Sequence, residues 1–235
     1  AAPLYRELER TMREALASGE WKPGEAIPAE RRLAERYAVS IGTVRKAIDA
    51  LVDANLLIRQ QGRGTFVATH TRDRLLYYFF HVVPESGSKA YPDVRLCAFA
   101  RAKADRVEAE KRAIAPDDAV FRCRNLLHLG GEPIIVDYLS LAVARFPGLT
   151  EKQFGERPST IYHLYQDAFG ITVARSSERL RTTVADADAA ALLGVARGAP
   201  LLMIRRVALG LGGEPVEWRV SRVNTAKHEY FAEIG

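Results

Sequence analysis

Apolar residues recur at helical spacing from Leu4 to Val52, and this periodicity divides the stretch into three helices. Leu4, Leu8, Met12, Ala15 and Leu16 form one stripe. Pro3 suits the opening of that helix, and Ser18-Gly19 suits its end. Trp21-Lys22-Pro23-Gly24-Glu25 has the composition of a turn. A short helix after Pro28 would bury Leu33, Ala34 and Tyr37, and Ala38-Val39 breaks it. Ser40 then reads as the N-cap of a third helix running from Ile41 to about Ala54. Its inward stripe is Val44, Ala47, Ile48, Leu51 and Val52, which leaves Gly42, Thr43, Arg45, Lys46 and Asp49 on the other face. The period then changes. Leu56–Gln60 and Thr65–Val67 read as extended pieces around Gln61-Gly62-Arg63-Gly64, whose glycines permit a hairpin turn.

Ala68–Asp73 is polar and aperiodic, so the chain is expected to divide into a unit over 1–70, a linker over 71–74 and a unit over 75–235. Leu75–Val83 is a dense aromatic and β-branched run that predicts a buried strand. Pro84–Pro92 has loop chemistry. Beyond it an internal echo appears: Leu-Gly-Gly-Glu-Pro stands at 129–133 and again at 211–215. Each copy follows an apolar, arginine-containing strand and precedes a second extended segment. Each first strand follows an alanine-rich acidic helix and a Pro/Gly-type turn. Two such hairpins predict an α+β domain with pseudo-twofold character and a mainly antiparallel sheet.

A third helix with small and basic residues at its start, set after a tight turn, is the pattern of a helix-turn-helix. The start of that helix would enter the major groove, and its free N–H groups favour phosphate. Arg63 would sit at the hairpin tip, suited to a phosphate or minor-groove contact. The plainer alternative is a protein-interaction module with a solvated basic face. Charge does not decide between them. The chain carries 34 Lys and Arg against 29 Asp and Glu, but residues 1–70 hold only eleven and nine of these.

Composition adds limits. The chain is 48% apolar and 27% charged, as ordinary globular proteins are, with no apolar run of membrane-spanning length. The N-terminal residues lack an export signal and the cysteines number two, Cys97 and Cys123, so a reducing cytoplasm is expected and no membrane partner. A disulfide between the two stays open at this point. The histidines, at 70, 81, 128, 163 and 228, lack metal-ligand spacing, and no nucleotide-binding or nucleophile-elbow motif occurs. No catalytic residue, metal or cofactor is therefore expected.

The run PLYRELERTMREAL followed by PGEAIPAERRLAERYAVSIGTVRKAIDALVDANLLIRQQGRGTFV closely resembles the winged helix-turn-helix of the GntR family of bacterial regulators. The resemblance implies that Arg31, Ser40, Thr43, Arg45, Gly62 and Gly64 contact a double-stranded DNA operator. Ile41 stands where many members carry a guanine-reading arginine. Base reading is thus expected to lean on Gly42, Thr43 and Arg45, with Lys46 and Arg63 nearby and Ile41 meeting a thymine methyl.

The second half resembles the UTRA effector-binding domain of the HutC-type subfamily, through both GGEP hairpins, FPGLT, STIYHLYQDAFGI and ADAAALLGVARGAPLLMIRR. That resemblance implies the fold shared with chorismate lyase, a homodimer and a small-molecule effector. It implies effector contacts at Asp137, Glu217, Thr160 and Tyr162, with Phe80, His81 and Trp218 as walls. Many sugar-phosphate-binding members carry Arg-x-Arg before the first hairpin, and the matching places here are Asn125 and Leu127. Arg122 and Arg124 should project to the opposite face of the strand. The face of Phe121, Cys123, Asn125 and Leu127 is then neutral, which argues against a phosphosugar. The alternative reading is a small metabolic enzyme of that lyase-like fold joined to a DNA-binding module.

Overall fold

A computed structural model describes residues 3–233. The N-terminal unit holds α1 (Leu4–Ala17), α2 (Glu30–Tyr37), α3 (Ile41–Asp53), β1 (Leu57–Gln60) and β2 (Gly64–Val67). The helical stripes read from the sequence meet in one core, where Met12, Leu33, Val44, Ile48 and Leu51 lose almost all exposure. Ala38 takes a left-handed conformation at φ 53° and turns the chain from α2 into α3. β1 and β2 form an antiparallel hairpin, and Ala26 bridges to Phe66 beside it.

The next element corrects the sequence reading. Residues Arg72–Tyr78 form a helix, α4, where a linker and then a strand were expected. The Thr71 hydroxyl accepts from the Arg74 amide at 3.1 Å and Asp73 lies in the first turn, so local capping favours the helix. A short apolar run fits either structure, and the cap decides. Only Val82–Pro84 (β3) is extended, paired antiparallel with a strand near the C-terminus.

The rest of the chain runs β4 (Asp93–Lys103), α5 (Arg106–Arg112), β5 (Ala119–Leu129) and β6 (Glu132–Ala142), then a 3-10 turn at Val143–Arg145. It continues through α6 (Glu151–Gly155), α7 (Ile161–Phe169), β7 (Arg175–Val184) and α8 (Ala187–Leu193). Last come β8 (Pro200–Leu209), β9 (Pro215–Val223) and β10 (His228–Tyr230), the partner of β3. The sheet order β4-β5-β6-β9-β8-β7 is antiparallel throughout. The echo is thus a repeated β-α-β-β unit whose halves join at the β6–β9 seam. Asp105 and Asp186 cap α5 and α8 in matching places.

The two sheet faces have different covers. α8 packs on Leu126, Val136 and Leu201. α6 and α7 pack on the other face, against Phe121, Cys123, Leu139 and Leu141, with Phe146, Phe154, Tyr162 and Tyr165 fully buried between. Burial of each such aromatic contributes about 1.5–3 kcal/mol.

The two units touch through α7. Gln166 Oε1 accepts from the His70 amide at 3.1 Å, and Gln166 Nε2 donates to the Ala68 carbonyl at 3.4 Å and to Thr172 Oγ1 at 3.0 Å. The His70 ring is buried against Phe79 and Tyr162, with centroids at 6.0 and 5.6 Å. Ala174 and Leu211 extend the N-terminal core from the other side.

Candidate DNA interface and effector cavity

Ser40 caps α3 as its sequence position predicts: Oγ accepts from the Thr43 amide at 3.1 Å and lies 2.9 Å from Thr43 Oγ1. The cap satisfies one backbone donor and fixes where the helix starts. Ile41, Gly42, Arg45 and Lys46 are exposed there and Thr43 half so, with Ile41 retaining 44% of its surface. An apolar residue left that open at a helix start is available to another surface. In the hairpin turn Gly62 and Gly64 hold φ of 71° and 116°, which side-chain-bearing residues adopt rarely. Exposed Arg63 lies over the Phe66 ring at 5.6 Å. Arg31 pairs with Glu35 one turn on, exposed to solvent.

One participant escaped the sequence reading. Glu30, at the start of α2, holds Arg45 at 2.8 Å and Arg59 at 3.2 Å, while Arg59 also reaches Asp49 at 2.6 Å. The hydrogen bond from Arg45 holds the Glu30 carboxyl below the usual carboxylate range, with Arg59 adding to it. The adjacent residues Pro-Ala-Glu-Arg gave the signal, but the pairing spans fifteen positions and is invisible to local pattern.

In the second unit the cross-strand register puts Asn125, Asp137 and Ser221 on the α7 side of the sheet. A cavity of about 40 Å³ lies above them, and its lining includes Phe80, Tyr91, Asn125, Asp137, Arg157 and Arg219. Its floor is an ionic network that crosses the seam. Arg219 donates to Asp137 Oδ2 at 3.2 Å and to both oxygens of Glu217 at 2.7 and 3.0 Å. Ser221 donates to Asp137 at 2.5 Å, and Tyr165 to Glu217 at 2.6 Å. Burial alone would raise the Glu217 carboxyl, but Arg219 outweighs it and holds the group below its ordinary value. Burial and the Glu217 charge push the Tyr165 phenol well up, so it stays a donor. Next to this, Arg206 donates to Glu178 at 2.6 Å, to the Tyr162 hydroxyl at 3.3 Å and to the Phe79 carbonyl.

Among the described residues, two groups at this cavity lack a partner. Asn125 Oδ1 is buried without a hydrogen bond, and so is Arg157 Nε, although Arg157 Nη1 reaches the Phe154 carbonyl at 2.5 Å. Buried polar groups left open in this way are where a ligand gains most by binding. The Cys123 thiol is pushed up to about 12 by burial and is not a thiolate at neutral pH. Both cysteines are free thiols.

The expected effector residues therefore separate. Phe80, Asn125 and Asp137 line the cavity. Tyr162 and Glu217 are fully buried in the layer behind it. Thr160 caps α7, accepting from the His163 amide at 3.0 Å. His81 is not a wall: its ring lies 5.1 Å from that of Tyr230, facing a different cavity. Trp218 pairs with Ser140 on the opposite sheet face, because it is one residue out of step with Glu217. Arg122 and Arg124 do point away, to Glu108 and Asp188. The inference of a neutral site, however, does not hold. β8 and β9 bring Arg206 and Arg219 to the same face, and Arg157 arrives from the α6–α7 connection. The argument against an anionic effector thus loses its premise.

Comparison with known proteins agrees with both halves. Residues 4–67 match the gntR family of bacterial regulatory proteins, and residues 88–229 match the UTRA domain. The chain is 27% identical over 234 residues to the Escherichia coli mannosyl-D-glycerate transport/metabolism system repressor MngR, spanning 97% of this chain and 94% of that one. It is 25% identical over 216 residues to the Bacillus subtilis transcriptional repressor NagR, spanning 92% and 88%. Among solved structures, the ligand-binding domain of a GntR-family regulator from Bordetella bronchiseptica superimposes with a TM-score of 0.64 at 27% identity, covering 68% of this chain and 99% of that one. With a capped, exposed reading helix in one half and a UTRA fold in the other, this chain belongs to the GntR family of transcription regulators, in the HutC-type group.

Proposed function

We propose that two copies of this chain bind a near-palindromic operator as a cytoplasmic repressor and leave it when a small metabolite enters the cavity over Asn125 and Asp137. Residues 1–70 are the DNA-binding unit, 71–74 the connection, and 75–235 the effector-binding and dimerising unit. On the DNA side the contacts are Arg31, Ser40, Ile41, Gly42, Thr43, Arg45, Lys46, Gly62, Arg63 and Gly64. The bound metabolite departs unchanged, so no residue has a catalytic role. The repressor sign is supported by MngR and NagR, both named as repressors.

The observation that carries this reading is the grip of Gln166 on residues 68–70, from a helix whose Tyr162 backs the cavity. A ligand regulates only through different affinities for two arrangements, and a hundredfold difference supplies about 2.7 kcal/mol. The cavity is small as it stands, so effector entry requires α7 or the 79–92 segment to move. The test is a metabolite screen on the full chain, scored first by thermal shift and then by operator release. A compound that binds equally well with and without operator would exclude this coupling by reciprocity. Turnover of a bound metabolite would favour an enzyme instead.

A further inference from the structure

Between the two units lies a second and larger cavity, of about 370 Å³. From the DNA-binding unit it is lined by Asn55, just past α3. From the effector unit it is lined by Arg74 of α4, by His81, and by Arg175, Ser176 and Glu178 of β7. Its charges are unevenly compensated. Glu178 is already occupied by Arg206 and by the Tyr230 hydroxyl. Arg74 retains only 8% of its surface, yet among the described residues it has no acidic partner and its Nε has no hydrogen bond. Its guanidinium lies over the Tyr78 ring at 5.9 Å, and its charge also acts on the His70 imidazole. Arg175 also has no ion pair among the described residues. His81 Nδ1 is buried without a partner, and burial holds that imidazole below its ordinary value.

A buried guanidinium without a paired counter-charge is costly, and among the described residues no carboxylate pairs with Arg74, the Glu178 carboxyl being engaged by Arg206. We propose that this junction cavity is a second ligand site, distinct from the Asn125–Asp137 cavity, which takes a small anion bearing a phosphate or carboxylate group held by Arg74 and Arg175. The Ser176 hydroxyl and the Asn55 side chain offer further hydrogen bonds across the junction. DNA phosphate is not the occupant. Asn55 lies about 20 Å along α3 from the exposed start of that helix, at 1.5 Å per residue. Because the site draws its lining from both units, an anion bound there stabilises their docked arrangement and thereby biases operator binding.

The test uses the full chain at constant ionic strength, titrated separately with inorganic phosphate and with malonate. Saturable binding of at least one is expected, with amide protection appearing together at 54–56, 74–81 and 174–178. The two arms tell phosphate from carboxylate recognition. Arg175 is exposed and its Arg175→Gln variant keeps the fold; it should bind the preferred probe about tenfold more weakly. Arg74→Met should abolish the response and raise the melting temperature of the anion-free protein, since an uncompensated buried charge is gone. The proposal is overturned if neither probe saturates, if Arg175→Gln binds unchanged, or if protection is confined to residues around Asn125 and Arg157.

Discussion

Gln166 Oε1 accepts the backbone N–H of His70 at 3.1 Å, ninety-six positions away in sequence, and this bond ties the end of the DNA-binding unit to helix α7. Both groups are buried, so water cannot replace either. Gln166→Leu leaves the His70 amide and the Ala68 carbonyl unsatisfied and should destabilise the protein by about 1–3 kcal/mol. The same variant should exchange the His70 amide faster and weaken the effect of any effector on operator affinity. Retention of full coupling would show that the signal takes another route.

If Arg45 contacts DNA as proposed, Glu30 competes with DNA for it. In Glu30→Gln both Arg45 and Arg59 lose their shared carboxylate, and a negative charge leaves the reading face. Non-specific DNA binding should tighten, and the slope of log affinity against log salt should steepen by about 1. Both arginines are exposed and Glu30 is half-buried, so the melting temperature should move little. A titration across salt concentrations measures both quantities.

Ile41 offers an exposed aliphatic surface at the helix start and no hydrogen bond. Ile41→Ala should reduce preference for thymine at one operator position by roughly 1 kcal/mol while leaving affinity for unrelated DNA intact. An unchanged operator preference in a binding selection would remove Ile41 from the reading set.

Asn125→Leu replaces a buried amide whose oxygen has no partner with an apolar side chain of similar size. Stability should change little, operator binding should persist, and release by effector should be lost. Reporter assays with and without inducing extract, together with a melting curve, separate this from misfolding.

Acid should weaken the fold before its carboxylates titrate. Burial pushes the His70 imidazole down to about 3, with Arg74 adding to the effect. Only the unfolded chain therefore protonates this group between about pH 6.5 and 3. Its contribution is complete above pH 6.5 and is lost as pH falls, at about 1.4 kcal/mol per unit. His81 and His228, also held low by burial, act with the same sign. Glu178 and Glu217, both depressed, add their loss below the usual carboxylate range. Urea melts from pH 7 to 4.5 should show this slope, and His70→Phe should flatten part of it.

The winged helix-turn-helix was legible because its information is local. A Ser cap, three stripes of period 3.6 and two glycines in a turn each act within a few residues. The paired hairpins were legible for the same reason, through a repeated turn sequence. What depended on distant pairing was not. Arg157, Arg206 and Arg219 reach the cavity from three separate elements, and no spacing announces them. Trp218 is one step of strand alternation away from its expected place, and the Leu75–Tyr78 part of α4 reads as a strand because LLYYFF satisfies either pattern until the Thr71 cap is weighed.

The network of Asp137, Arg219 and Glu217 spans the seam between the two repeated halves of the sheet. Asp137 belongs to the first half; Arg219 and Glu217 belong to the second. If the halves parted, the buried Asp137 carboxylate on one side and the Arg219–Glu217 ion pair on the other would lose their match. Neither repeat is then a self-sufficient folding unit, however closely the two resemble one another. The C-terminal half is therefore expected to unfold in one cooperative step, with coincident transitions by different probes.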